Sequence, residues 1–228
     1  MSTRQRRWTL VALAASVLIN VVGVAFYLLR STKDAPKSDV YRHDREDMFD
    51  QLARGSADLV MLGDSLTDRG EWHELLGRDR VANRGVAGDT IAGARARLAP
   101  TKSLRAKTIV VMLGINDLLS GRSVAACVDD YRRLLADLAA FEPPPRIVVQ
   151  SVLPVGAQIS LSNQPIRELN EQLRALCVAP RCEFLDVFSA LVGPDGALPA
   201  SRSGDGVHLD GDGYVQWAAS LRRTLAGS

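Results

Sequence analysis

Short apolar segments alternate with amphipathic stretches from about residue 58 onward, and this alternation limits the folds open to the chain. Apolar segments with the length of buried strands lie at residues 58–62, 108–113, 146–152 and 183–187, with a weaker one at 80–83. Segments with helical spacing of apolar residues lie at 40–54, 91–98, 124–141, 166–178 and 214–225. Turn or capping residues such as Asp89, Ser123 and Asp212 precede several helical segments. Such alternation predicts an α/β protein, a three-layer α/β/α sandwich around a parallel sheet of about five strands.

The N-terminal part of the chain has a different character. Residues 8–29 read WTLVALAASVLINVVGVAFYLL, a run of 22 uncharged residues that matches the helix length needed to span a bilayer core. Basic residues flank it on both sides: Arg4, Arg6, Arg7, Arg30, Lys33 and Lys37. A cleavable signal peptide is the alternative, but its apolar region runs only about 7 to 15 residues and ends in small residues, where this chain has FYLL.

We therefore predict a single-pass transmembrane anchor at residues 8–29, after a basic tail at 1–7. A polar tether at 30–39 then leads to one catalytic domain at 40–228. The short, basic N-terminal tail favours an N-terminus in the cytoplasm and a domain on the extracytoplasmic side. The predicted localisation is thus the membrane.

Charge and cysteine content exclude several function classes. The chain has 28 Lys plus Arg against 26 Asp plus Glu, which gives no support to nucleic-acid binding. Cys127, Cys177 and Cys182 lack the paired spacing of zinc ligands or of a disulfide framework, so no metal is expected. Whether Cys177 pairs with Cys182, and the oligomeric state, stay open.

Three predicted strands end in polar or glycine-rich turns, where ligands of α/β sheets bind. The first strand runs into Gly-Asp-Ser with Ser65, and the second is followed by a glycine-rich loop with Gly88. The third leads to Asn116, whose side-chain amide is suited to stabilise a developing negative charge. Each of these alone is also typical of a structural turn or a helix cap.

A fourth motif near the C-terminus, Asp-Gly-Val-His, supplies what a serine nucleophile requires. A serine hydroxyl needs a base to take its proton, and a carboxylate that orients this base. Of the three histidines, His43 lies in the tether-proximal helix and His73 lies only eight residues after Ser65. This leaves His208, three residues after Asp205, as the candidate base.

The four blocks together resemble those of SGNH/GDSL hydrolases, in the branch of platelet-activating-factor acetylhydrolase-like and lysophospholipase-like esterases. They are GDSLT at Ser65, AGDT at Gly88, GIND at Asn116 and DGVH at Asp205 and His208, and the resemblance runs from about residue 58 to the C-terminus. It implies a flavodoxin-like sandwich, a Ser65-Asp205-His208 triad and no cofactor. It also implies an oxyanion hole formed by the backbone amides of Ser65 and Gly88 with the Asn116 side chain.

The predicted function is hydrolysis of carboxylic esters with short acyl groups, especially acetyl, through an acyl-enzyme. Partners would be a small-molecule, lipid or glycan ester and, through the anchor, the membrane. An acyltransferase with the same triad and a non-catalytic binding module of this fold are the alternatives. The residues that either line an acyl pocket or pack in the core are Trp72, Ile115, Leu153, Val155 and Ile159. The loop at 156–163 is a candidate cover for the cleft.

Overall fold

The computed structural model describes residues 37–53, 55–178, 180 and 182–226. The anchor predicted at residues 8–29 lies outside these residues, as do the basic tail at 1–7 and most of the tether. Within the described ranges, no helix has both the length and the apolarity that crossing a bilayer requires. The chain divides into two units, Met1–His43 and Asp44–Ser228, and every predicted site residue belongs to the second.

The described elements alternate between strand and helix as the sequence predicts. The strands are β1 (Leu59–Gly63), β2 (Val81–Gly85), β3 (Thr108–Met112), β4 (Arg146–Gln150) and β5 (Cys182–Leu185). The longer helices are α1 (Lys37–Gln51), α4 (Ile91–Ala96), α7 (Val124–Ala139), α8 (Asn163–Leu176) and α10 (Gly211–Ala226). The shorter helices are α2 (Ser65–Asp68), α3 (Trp72–Leu76), α5 (Ala99–Ser103), α6 (Ile115–Leu119) and α9 (Phe188–Leu191).

The five strands form one parallel sheet in the order β2-β1-β3-β4-β5, which is the order of flavodoxin-like sheets. Every residue of β1 and β3 is buried, because helices cover both faces. Helices α4, α7 and α8 pack together, and α3, α9 and α10 form a second group. The predicted three-layer α/β sandwich with five parallel strands is confirmed. The direction in which successive strands are added to the sheet reverses between β1 and β3. Folds of this type bind their ligands at this reversal point.

One predicted helix boundary and two predicted helix caps differ from the structure. The helix predicted at 91–98 is present as α4 but ends at Ala96. A separate short helix, α5, begins at Ala99 with Pro100 in its first turn, where the missing amide hydrogen of proline is tolerated. Thr90, rather than Asp89, caps α4 by accepting a hydrogen bond from the Gly93 amide. Ser123 caps α7 as predicted. Asp212 lies inside the first turn of α10, while Asp210 accepts from the Gly213 amide.

The cysteine pairing that the sequence leaves open is present in the structure. A disulfide joins Cys177, just after α8, to Cys182 at the start of β5. It closes a short connection at the edge of the sheet. Cys127 is a free thiol buried in the core, where burial raises its pKa to about 11.

Candidate active site

The turn that carries Ser65 is fixed by its own sequence. Ser65 is the first residue of α2, two residues after the end of β1. Asp64 caps this helix, since its carboxylate accepts a hydrogen bond from the Leu66 amide at 3.0 Å. A β-carbon at Gly63 would lie 2.7 Å from the Met112 carbonyl oxygen, so only glycine fits between the strand end and the turn. Ser65 is therefore presented at the carboxyl edge of the sheet in a constrained backbone.

Side chains from other elements hold the carbonyl groups of this turn. The Asn83 amide donates to the carbonyls of Thr67, Asp68 and Gly70 at 3.0 to 3.2 Å. Trp72 Nε1 also donates to the Thr67 carbonyl at 2.7 Å. The hydroxyl of Tyr214, in α10, donates to the carbonyl of Leu66 at 2.7 Å. These bonds satisfy buried carbonyls at the end of a very short helix and thereby fix the position of Ser65.

Ser65, His208 and Asp205 form one continuous chain of hydrogen bonds. His208 Nε2 lies 2.8 Å from Ser65 Oγ, and His208 Nδ1 lies 2.6 Å from Asp205 Oδ2. A carboxylate only accepts hydrogen bonds, so Nδ1 carries the imidazole hydrogen and Nε2 is left to accept from the serine hydroxyl. The fold thus brings Ser65 into hydrogen-bond contact with His208, which lies 143 positions away in the sequence.

The Asp205 carboxylate is fixed by its own loop. Its Oδ1 accepts from the backbone amides of Val207 and His208 at 2.9 and 2.8 Å. Desolvation acts to raise the pKa of Asp205, but the hydrogen bonds from the His208 ring and from these two amides outweigh it. They hold this pKa well below its usual range. Asp205 therefore stays ionised and can stabilise a positively charged His208.

The predicted oxyanion residues lie on the neighbouring strand ends. Gly88 follows β2 in an exposed loop with φ of 78°, a conformation that glycine adopts without strain. Asn116, in α6 after β3, donates from Nδ2 to the Asp89 carbonyl at 2.8 Å. That bond joins the Gly88 loop to Asn116 and leaves the second N–H of the amide to donate elsewhere. Ser65 follows the strand between them, since β1 pairs with both β2 and β3.

A buried ion pair behind these loops has no signal in the sequence. Asp89 and Arg97 are 0% and 5% exposed in their side chains, and Arg97 Nη2 lies 2.7 Å from Asp89 Oδ2. Arg97 also donates to the carbonyl of Gly63 at 3.1 Å. The pair therefore links the Gly88–Asp89 loop to the strand end that precedes Ser65. In the sequence, Asp89 resembles an ordinary helix cap and Arg97 a surface residue.

The Asp64 carboxyl is the second charged group that sequence patterns did not single out. It is 1% exposed, and its Oδ2 has no hydrogen-bond partner within the described part of the chain. Burial raises the pKa of Asp64 to about 7, and the nearby carboxylates of Asp89 and Asp117 act in the same direction. The Leu66 amide opposes them. The Asp64 carboxyl therefore keeps a proton to higher pH than an exposed aspartate does.

Most of the apolar residues that the sequence assigns either to an acyl pocket or to the core are core residues in the structure. Trp72, Ile115, Leu153 and Val155 are at most 3% exposed and belong to the core, while Ile159 is half-buried. The loop after β4 contacts the loop that carries His208: Gly156 donates from its amide to the Gly206 carbonyl at 2.7 Å. Four of these five residues thus pack in the core, and the loop after β4 lies next to the loop that contains Asp205 and His208.

The model of the GDSL-like lipase/acylhydrolase family matches residues 61–216, about two thirds of the chain. The chain belongs to this family. As a GDSL-like acylhydrolase it is a serine ester hydrolase, which confirms the resemblance seen in the sequence.

Curated and solved proteins are similar to this chain over most of its length. The human platelet-activating factor acetylhydrolase IB subunit alpha1 is 28% identical to this acylhydrolase over 175 residues, covering 74% of this chain and 75% of the human protein. A Streptococcus pneumonia protein provisionally assigned as a platelet activating factor has a TM-score of 0.77 at 22% identity, covering 89% and 99% of the two chains.

Two further structures share the fold. A GDSL-like lipase from Bacteroides thetaiotaomicron has a TM-score of 0.63 at 21% identity, and the match covers 78% of this chain and 90% of the lipase. An acetyl xylan esterase has a TM-score of 0.62 at 19% identity, with 73% and 98% covered.

Proposed function

We propose that this acylhydrolase cleaves short-chain, acetyl-type carboxylic esters with Ser65 as nucleophile, His208 as general base and acid, and Asp205 as the orienting carboxylate. The observation that carries the proposal is the unbroken hydrogen-bond chain from Ser65 Oγ through the His208 ring to Asp205.

The first half of the reaction forms an acyl-enzyme. His208 Nε2 takes the hydroxyl proton as Ser65 Oγ attacks the ester carbonyl carbon, and the electron pair of the carbonyl bond moves onto oxygen. The amides of Ser65 and Gly88 and the free N–H of Asn116 donate to this oxyanion in the proposed site. When the tetrahedral intermediate collapses, the bond to the alcohol breaks and the alcohol oxygen takes the proton from His208.

The second half repeats these steps with water. His208 deprotonates water, which attacks the acyl carbon, and Ser65 leaves with the returned proton as the carboxylic acid is released. Asp205 keeps its negative charge throughout and stabilises the protonated imidazole.

The preference for short acyl groups rests on packing. Four of the five apolar residues that would line an acyl channel are buried in the core instead, and Ile159 alone of these five remains half-buried. The names of two relatives, an acetylhydrolase and an acetyl xylan esterase, point the same way.

The test measures hydrolysis of p-nitrophenyl acetate, butyrate and octanoate by the purified full-length protein. We expect acetate to give the highest kcat/KM. Ser65→Ala should abolish the activity, whereas Ser201→Ala, which changes an exposed serine, should retain it. Equal rates in wild type and Ser65→Ala would refute the proposed nucleophile, and a maximum at octanoate would refute the chain-length preference. Product analysis with added glycerol separates hydrolysis from acyl transfer to an alcohol.

A further inference from the structure

Three arginines surround one aromatic ring next to the edge strand β2. The guanidinium carbons of Arg45, Arg84 and Arg97 lie 4.9, 4.8 and 5.6 Å from the centre of the Phe49 ring. Carboxylates neutralise two of these groups. Asp68 pairs with Arg45 at 3.0 Å, and Asp89 pairs with Arg97 at 2.7 Å.

Arg84 is the member of this cluster without a carboxylate. It is 3% exposed and, within the residues that the structure describes, it forms no ion pair. One terminal nitrogen donates to the Asn83 carbonyl at 3.0 Å, and its Nε is buried without an acceptor. Burial, with the neighbouring charges of Arg45 and Arg97, lowers the pKa of Arg84 to about 10, so it remains charged at neutral pH. A buried, unpaired charge is costly, and contact with an aromatic ring offsets only part of that cost.

Arg84 also lines a surface cavity of about 420 Å³. Arg45 and Arg80 contribute to the same lining, whereas Asp79 is its acidic member. The Asp79 carboxylate is 98% exposed and lies 3.5 Å from His73, so it is turned largely to solvent. Arg80 pairs with Asp58 at 3.6 Å, and Arg45 pairs with Asp68. Arg84 is therefore the arginine of this lining that has no carboxylate partner within the described part of the protein.

We propose that this cavity is a binding site for a phosphate-class oxyanion, either free phosphate or the phosphoryl group of a lipid headgroup. Arg84 supplies the compensating charge, and Arg80 and Arg45 supply further donors. A phosphate group fits because its several oxygens can accept hydrogen bonds from more than one planar guanidinium. The site is separate from the triad, and none of these three arginines takes part in the proposed chemistry.

The experiment measures the melting temperature of the full-length protein in phosphate and in sodium chloride of equal ionic strength. Phosphate at ten times its Kd should raise the Tm of the wild type by roughly 3–5 °C, with saturation. Phosphate also stabilises proteins non-specifically, so the decisive quantity is the difference between variants. Arg133→Met, which removes an exposed arginine of α7 paired with Asp130, is the matched control and should respond like the wild type.

Two variants test the site itself. Arg84→Met should lose the saturable shift. Ala82→Glu keeps Arg84 and places a carboxylate two residues away on the same face of β2. Ala82→Glu should raise the Tm measured without phosphate and should remove the response of the Tm to phosphate. If Arg84→Met does not fold, the result with Ala82→Glu decides the test. A shift of equal size in the wild type and Ala82→Glu, or no saturable shift in the wild type, would overturn the proposal.

Vesicles distinguish the two sources of phosphate. Binding to phosphatidylglycerol vesicles is compared between wild type and Ala82→Glu, with phosphatidylcholine as reference. A loss of phosphatidylglycerol binding by at least threefold in Ala82→Glu assigns the cavity to a lipid headgroup. A saturable phosphate shift with equal vesicle binding assigns it to a soluble phosphate.

Discussion

The guanidinium of Arg97 holds the carboxylate of Asp89 through two nitrogens, Nε and Nη2, each 2.7 Å from Oδ2. The Asp89 carbonyl in turn accepts the hydrogen bond from Asn116, and Arg97 also donates to the Gly63 carbonyl. One buried cation thus connects all three strand ends that carry Ser65, Gly88 and Asn116.

We expect Arg97→Met to lower kcat with p-nitrophenyl acetate by roughly 10- to 100-fold, because the Gly88–Asp89 loop, which carries a proposed oxyanion donor, loses its attachment to β1. Removing one partner of a buried pair should also cost about 3–5 kcal/mol of unfolding free energy. Arg95→Met, which breaks an exposed pair with Asp137, is the matched control. Arg97→Lys should recover part of the kcat that Arg97→Met loses, because lysine keeps the positive charge that holds the Gly88–Asp89 loop in position. An unchanged kcat in folded Arg97→Met would contradict this positioning role.

Replacing Asn116 tests the oxyanion donor. Asn116→Ala should reduce kcat about 100-fold or more, since a donor to the developing negative charge is lost. Leu119→Ala, at an exposed position of the same helix α6, should leave kcat unchanged. The measurement is steady-state kinetics together with Tm. Full activity in Asn116→Ala would remove this residue from the site.

Asp64 should make stability depend on pH. Its pKa rises from 3.8 in the unfolded chain to about 7 in the native protein, so the native state binds more protons between these values. The contribution of Asp64 is therefore favourable below about pH 4 and is lost as the pH rises to 7, by at most roughly 4 kcal/mol.

Asp64→Asn keeps the acceptor for the Leu66 amide but does not titrate. The difference in unfolding free energy, variant minus wild type, should therefore increase from pH 5 to pH 8, as measured by urea denaturation. Asp58→Asn, at a partly exposed carboxylate, is the control. A difference that stays constant over this range would contradict the raised pKa.

The transmembrane anchor at residues 8–29 stays a prediction from the sequence. Full-length protein should remain with the membrane fraction after a carbonate wash. The double substitution Leu18→Arg/Val22→Arg should release it, because each charge near the centre of a span costs about 2.5–3.5 kcal/mol. Leu18→Ala/Val22→Ala should behave like the wild type. Release of the unaltered protein by carbonate would argue against an integral anchor.

The sequence by itself determined the layered α/β architecture and the candidates for the site. Apolar runs of strand length and helical spacing are local patterns, and the turn residues at Ser65 and the Asp205–His208 spacing act within a few positions. The short helices α2 and α6 were not predicted, because helices of four or five residues have too few positions to show a periodicity.

Only the tertiary structure decided which groups meet. The contact between His208 and Ser65 joins residues 143 positions apart, and the Arg97–Asp89 pair depends on how α4 packs behind the strand ends. The raised pKa of Asp64 and the unpaired charge of Arg84 follow from burial among particular neighbours. Burial and long-range pairing arise from the packing of the whole sheet with its helices, which no local pattern encodes.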